Sequence, residues 1–229
     1  MLLIKKLLYW IILGCLTAVL AIGCGASNQT ISTPTLSETC RTINHDAGTT
    51  EICDVPKTIV SLSAHVLDLL LALDQQPAAY VTPVSLHRGD TFDNPAQQIP
   101  YLGHKITTQP LNLGSAQEPS IERLTALEPD LILGETRNAD EYKLLSQVAP
   151  TLLLADRTVP GQWQEHLTMI ANALGQSEKA DAIIQDYQVT IEQARLDLAD
   201  VTAAHPNILL LGGNRLEEGF YVIQANSYL

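Results

Sequence analysis

Three arginines stand just beyond short apolar runs. Arg88 lies a few residues past AAYVTPV (78–84), Arg137 past LILG (131–134), and Arg215 past NILLLGG (207–213). A guanidinium stays protonated at any pH a protein tolerates, and its planar fork of N–H donors matches carboxylate, hydroxamate or catecholate oxygens. Polar neighbours accompany them: Ser63 and His65 follow TIVSL (58–62), His87 adjoins Arg88, and Asn214 adjoins Arg215. If the apolar runs are parallel strands, these residues share the carboxyl edge of the sheet, which is where open α/β sheets take ligands. Ser63, His65, His87, Arg88, Arg137, Asn214 and Arg215 are therefore the candidate binding set. The competing reading makes each arginine a solvated loop charge that offsets an acidic surface.

Other chemistries fit less well. A bare transition-metal site needs several histidines and carboxylates on facing loops, and no spacing assembles such a set around His65 or His87. Ser61, Ser63 and His65 supply a nucleophile and a base, but near neighbours in sequence seldom reach that geometry and no acid is placed to orient the histidine. There is no G-x-S-x-G elbow, Walker loop or dinucleotide fingerprint. LGGNR (211–215) leads into another strand rather than a helix, so it implies no phosphate site. No catalysis, metal or cofactor is expected. His45, His104, His166 and His205 are expected on the surface, Trp163 and Tyr187 in the core, and Tyr101 either in the core or facing a ligand.

The elements that must hold these residues are strands alternating with helices of about ten residues. TIVSL is a strand, and 65–73 carries Val66, Leu69, Leu70 and Leu73 at helical spacing. AAYVTPV is a second strand, followed by a long polar loop. PSIERLTALEP (119–129) is a helix, LILG a strand, 140–148 a helix, TLLLA (151–155) a strand and 162–174 a helix. This order predicts a doubly wound, mostly parallel α/β sheet covered on both faces. Residues 176–201 then read as one helix with a stripe from Ala180 to Val201, about 40 Å long and suited to joining two lobes. Beyond Pro206 only two more strands follow, too little for a core of its own. They read as the beginning of a second lobe in a longer chain.

Composition and the start of the chain bound the rest. The 229 residues are 46% hydrophobic with a formal charge of −12, which disfavours nucleic acid as a partner. Lys5 and Lys6 precede an apolar run over 7–22, the layout of a signal peptide; a membrane anchor and a plain secreted form are the alternatives. AIGC (21–24) resembles a bacterial lipobox, which implies cleavage before Cys24 and acylation of its thiol. Residues 24–39 are rich in Ser, Thr, Asn and Pro and read as a flexible tether. The segment 40–56 reads as a hairpin, and in an exported chain Cys40 and Cys53 are either a disulfide or two separate thiols.

Four segments in fixed order carry a family resemblance: VPKTIVSLSAHVLDLLLALD (55–74), PSIERLTALEPDLILG (119–134), YKLLSQVAPTLLL (142–154) and WQEHLTMIANALGQSEKADAIIQDY (163–187). With them the chain resembles the periplasmic substrate-binding proteins of iron-siderophore ABC transporters, a group that also includes vitamin B12 and haem binders. The resemblance implies two doubly wound lobes bridged by one long helix, and a monomer anchored by lipid at the membrane. It implies iron carried as a chelated ferric siderophore, with Arg88 near a position used by hydroxamate binders. It also implies that Glu122 docks on the permease. In outline, 1–23 is the signal peptide, 24–39 the tether, 40–160 the ligand-binding lobe, 161–204 the helices that include the bridge, and 205–229 the start of an incomplete second lobe. The same architecture with cobalamin or haem is the alternative, and a secreted hydrolase a more distant one.

Overall fold

The computed structural model describes residues 40–82, 94–98, 102–155, 161–205, 207, 209, 211–212 and 221–222, all within the compact unit Glu38–Leu229. The chain enters through an antiparallel hairpin of β1 (Cys40–His45) and β2 (Gly48–Cys53). Cys40 and Cys53 face each other across the hairpin and close a disulfide. Five parallel strands then build the main sheet: β3 (Ile59–Ser61), β4 (Ala79–Thr82), β5 (Leu111–Ser115), β6 (Leu131–Glu135) and β7 (Thr151–Leu154).

The sheet order is β5-β4-β3-β6-β7. The chain winds outward from β3 to β5, returns to the other side of β3 at β6, and winds outward again to β7. This reversal divides the helices between two faces. α1 (Ala64–Ala72) and α5 (Gln162–Ala173) cover one; α3 (Ile121–Leu127) and α4 (Tyr142–Val148) cover the other, while α2 (Pro95–Gln98) is a single turn. Alternation along β6 serves both cores. Leu131 and Leu133 pack with Val66, Leu70, Leu167 and Ile170, whereas Ile132 packs with Leu124 and Leu145. Strands buried on both faces have no polar face to show, which is why these runs are apolar throughout.

Local chemistry fixes the ends of the elements. The hydroxyl of Ser63 caps α1 by accepting the Val66 amide at 3.0 Å, and Ser61 Oγ donates to the Ser63 carbonyl at 2.8 Å. α3 stops where Glu128 turns left-handed at φ 50° ahead of Pro129. Asp130 then accepts the amides of Lys57 and Thr58 on one carboxylate oxygen, at 2.9 and 2.8 Å, which ties the start of β6 to the start of β3. Those two bonds hold the Asp130 carboxyl below its usual pKa. At the far end of α1, Asp74 takes Lys179 at 2.8 Å and Lys105 at 2.9 Å, and its pKa is lowered to about 2, chiefly by hydrogen bonds from Lys179 and then Lys105.

Edge strand β7 is covered by the hairpin. The Asp46 amide donates to the Leu153 carbonyl at 3.1 Å, and the Leu153 amide donates to His45 Nδ1 at 3.3 Å. That nitrogen also accepts the Ala47 amide, so the proton resides on Nε2, which faces Thr50 Oγ1 at 2.9 Å. Burial lowers the His45 pKa, against a smaller opposing pull from Asp46. His45 is thus half-buried and structural rather than a surface residue as expected.

Further differences appear along the chain. LNLGS (111–115), covered by no expected element, forms β5. The long helix is α6 (Ser177–Asp197), separated at Leu198 from α7 (Ala199–Ala204), not one helix over 176–201. Of its stripe, Ala180 is buried and Ile183 and Ile184 pack on the core, but Leu198 and Val201 are more than half exposed. Tyr187, 38% exposed, stacks edge-on against Trp163 with ring centroids 4.9 Å apart. β8 (Leu211–Gly212) and β9 (Tyr221–Val222) pair with each other in a separate sheet. Among the described residues no helix is long and apolar enough to cross a membrane.

Two outcomes follow from these contacts. Asp74 and Asp130 bind protons more weakly folded than unfolded, so their contribution is complete above about pH 4 and drains away as pH falls toward 2. Thermal unfolding against pH should therefore show a lower Tm at pH 7 for Asp74→Asn with Asp130→Asn, and a flatter acid limb below pH 4 than in the parent. Separately, a Cβ on Gly134 would lie 2.9 Å from Asn138 Oδ1 and 3.0 Å from a Leu153 methyl. Urea unfolding of Gly134→Ala should show a loss of about 1–3 kcal/mol.

Candidate functional site

The reversal between β3 and β6 is the topological switch point of this sheet, and the loops leaving the two strands at their carboxyl ends diverge there. From β3 the chain passes through Leu62 and Ser63 directly into α1. From β6 it passes into a single 3-10 turn, Thr136–Asn138. The sequence-predicted residues Ser63, His65 and Arg137 therefore lie on adjacent loops at one edge. His87, Arg88, Asn214, Arg215 and Cys24, and also Tyr101, lie outside the described residues.

Each of the three has partners. The Ser63 side chain is buried and used as the α1 cap. His65, in the first turn, is half-buried, and its Nε2 lies 2.9 Å from Nδ1 of His166 on α5, with the rings edge to face. One proton lies between those two nitrogens, so the pair cannot carry two imidazolium charges without breaking. His166 is 2% exposed, a correction to its expected surface position. The signal was present: positions 163, 166, 167 and 170 share one face of α5, so periodicity alone places His166 inward. His104 and His205 are exposed as expected.

Arg137 is built in from below. Its Nη2 lies 2.9 Å from Glu135 Oε2; the Arg137 side chain is 46% exposed and the Glu135 side chain 3%. Glu135 caps the 3-10 turn by accepting the Asn138 amide, and Asn138 Oδ1 accepts the Glu135 amide at 3.3 Å in return. Asn138 folds into the space left by the missing side chain of Gly134. Glu135 follows LILG at the edge the sequence points to, whereas Asn138 was not among the expected residues. The cue was an acidic residue closing an otherwise apolar strand, with an amide side chain three positions later.

Glu122 stands elsewhere, exposed in the first turn of α3 behind the Ser120 cap. Its carboxylate favours the helix dipole by about 0.3–1 kcal/mol. An open groove of about 500 Å³ lies between β1 and α5, lined by Thr42, Asn44, Gln164, Thr168, Met169 and Asn172 among others. None of the predicted residues lines it. Among the described residues the cluster closest to metal-ligand geometry is Cys40, Cys53 and Glu51, whose sulfurs are already joined to each other.

Known proteins place this architecture. Residues 59–229 match the family model of the periplasmic binding proteins, a family made of binding proteins rather than enzymes. The probable siderophore-binding lipoprotein YfiY of Bacillus subtilis is 30% identical over 78% of this chain and 52% of its own length. The Fe(3+)-citrate-binding protein YfmC of the same organism is 29% identical over 80% of this chain and 56% of its own. The chain thus spans about half the length of the curated relatives it matches. In fold it superposes on the siderophore-binding protein BauB, solved with acinetobactin and ferric iron, with a TM-score of 0.62 over 82% of this chain and 62% of that one, at 23% identity. With a reversed parallel sheet, a polar carboxyl edge and a match that runs from β3 onward, the chain belongs to the periplasmic binding protein family, together with these siderophore- and ferric-citrate-binding relatives.

Proposed function

We propose that the chain belongs to the substrate-binding component of an ABC importer, which captures a ferric siderophore of hydroxamate or citrate type and delivers it to the membrane permease. The observation that carries this reading is that the Ser63, His65 and Arg137 loops leave adjacent parallel strands on the same edge, at the switch point of a sheet whose family match covers 59–229. The names of YfiY and YfmC support the ligand class. A ferric chelate presents anionic oxygens, and arginines on carboxyl-edge loops pair with such oxygens directly. In this reading Arg88 and Arg137 contact the chelate from one lobe, and Asn214 and Arg215 from the other. His65 and His87 line the approach without ligating metal. The iron arrives already coordinated, so the protein supplies no metal ligand, no cofactor and no catalysis.

In this reading the lipobox-like AIGC is cleaved before Cys24, whose acylated thiol anchors the chain at the cytoplasmic membrane, with 24–39 as the tether and the monomer beside its permease. Relatives named as lipoproteins and periplasmic proteins support that location.

Two experiments test the proposal. Quenching of tryptophan fluorescence is titrated with ferric citrate, a ferric hydroxamate, cobalamin and haem. Saturation by one of the ferric chelates, weakened about tenfold by Arg88→Ala and by Arg137→Ala, is the expected result; that factor corresponds to about 1.4 kcal/mol. Changes within about twofold for both variants remove the charge-pairing model, and saturation by cobalamin or haem alone reassigns the ligand. Glu122→Lys should leave chelate affinity intact and abolish uptake of labelled iron in cells; normal uptake in that variant excludes Glu122 from docking.

A further inference from the structure

Arg137 does not rise from the sheet edge as a free side chain. Below it lies a carboxylate that the fold has taken out of water, and a turn with no other evident purpose is built around that carboxylate. Glu135 closes β6, where every other residue is apolar or glycine, yet its side chain is only 3% exposed. Burying an ionised carboxylate costs several kcal/mol unless a charge and hydrogen bonds meet it. Both are present: the Asn138 amide on the carboxylate and Arg137 Nη2 at 2.9 Å. The arrangement is locked a second time, because Asn138 Oδ1 returns to the Glu135 amide and occupies the only space in which Gly134 could have carried a side chain.

We propose that Glu135 is a positioning residue that fixes the orientation of the Arg137 guanidinium at the switch point, so that its remaining donors are held ready for one face of an oxygen-bearing chelate. The inference rests on the proposed role of Arg137 in binding. A guanidinium carries five N–H donors, and one carboxylate engages at most two of them, so the pair is both anchored and able to bind. Half exposed and with several rotatable bonds, an unanchored arginine would lose that freedom on binding, and anchoring removes the cost beforehand. The pair is also neutral overall. The chelate is therefore recognised here by the direction of hydrogen bonds more than by an excess of positive charge, and a lysine does not substitute.

The test has one arm without ligand. In side-chain NMR spectra of the full chain at low temperature, Arg137 should give slowly rotating, resolved Nη signals, assigned by their loss in Arg137→Lys. Glu135→Gln, nearly isosteric, should average them. Signals already averaged in the parent, or unchanged in Glu135→Gln, overturn the proposal. The second arm titrates ferric citrate. Glu135→Gln and Arg137→Lys should each weaken binding about as much as Arg137→Gln, roughly tenfold, and Glu135→Gln should add nothing in the Arg137→Gln background. An equal further loss in that background makes Glu135 a general structural residue and sinks the positioning role. Should Arg137→Gln leave affinity unchanged while the NMR result holds, the ligand contact assigned to Arg137 fails and the anchoring itself stands.

Discussion

Burial of β6 on both faces is the constraint from which the rest of the molecule follows. All five of its residues, Leu131–Glu135, are buried, between β3 and the edge strand β7. A strand in that position must be covered by helices on each side, and the alternation of Leu131 and Leu133 against Ile132 divides the interior into two cores. No residue within the strand can meet water. Polar chemistry is displaced to its carboxyl end and the residues beyond, and because β6 pairs parallel with β3, those residues share an edge with the start of α1.

The lobe is stiffened where the cores alone would leave it loose. A parallel sheet exposes unpaired backbone along its edges, and the hairpin satisfies that of β7 through the Asp46 amide and the neutral ring of His45. Nearer the disulfide end of the hairpin, Arg41 donates to the carbonyls of Asp54 and Ala173. Lys179 bonds both the Leu73 carbonyl and Asp74, so the first turn of α6 is fixed to the end of α1. Further along α6 the packing ceases, and Val189, Leu196 and Leu198 are exposed. The helix is thus held at one end by the described lobe and shows its apolar positions at the other.

Charge in this protein is organised locally rather than globally. A net charge of −12 sets a repulsive background for any anionic ligand. Over distances greater than about 8–10 Å physiological salt screens that background, and among the described residues Arg137 stands on an edge loop where only short-range geometry counts. The first-turn dipole of α1, which begins where β3 ends, acts in the same direction. The buried carboxylate of Glu135 shows the other side of this economy, since it cancels the charge of Arg137 while keeping its donors in place.

The doubly wound sheet was legible because its determinants are local and repeated. TIVSL, LILG and TLLLA are short apolar runs separated by helical stripes, and a run apolar on both faces belongs in a covered parallel sheet. The Cys40/Cys53 hairpin was visible for the same reason. β5 was not legible: LNLGS offers one inward leucine and a glycine at φ 93°, and it becomes a strand only because β4 lies beside it. The break at Leu198 was hidden too, since no Gly or Pro marks it. His45 and His166 look like surface residues by type, and only partners distant in sequence, Leu153 and His65, make their rings structural. The sequence by itself determined the apolar core strands TIVSL, LILG and TLLLA, the helices between them, and that basic side chains follow apolar runs. The tertiary structure decided that Ser63, His65 and Arg137 share one edge, and that Arg137 is anchored to a buried carboxylate. Strand order and burial are set by contacts between distant segments, which local periodicity does not encode.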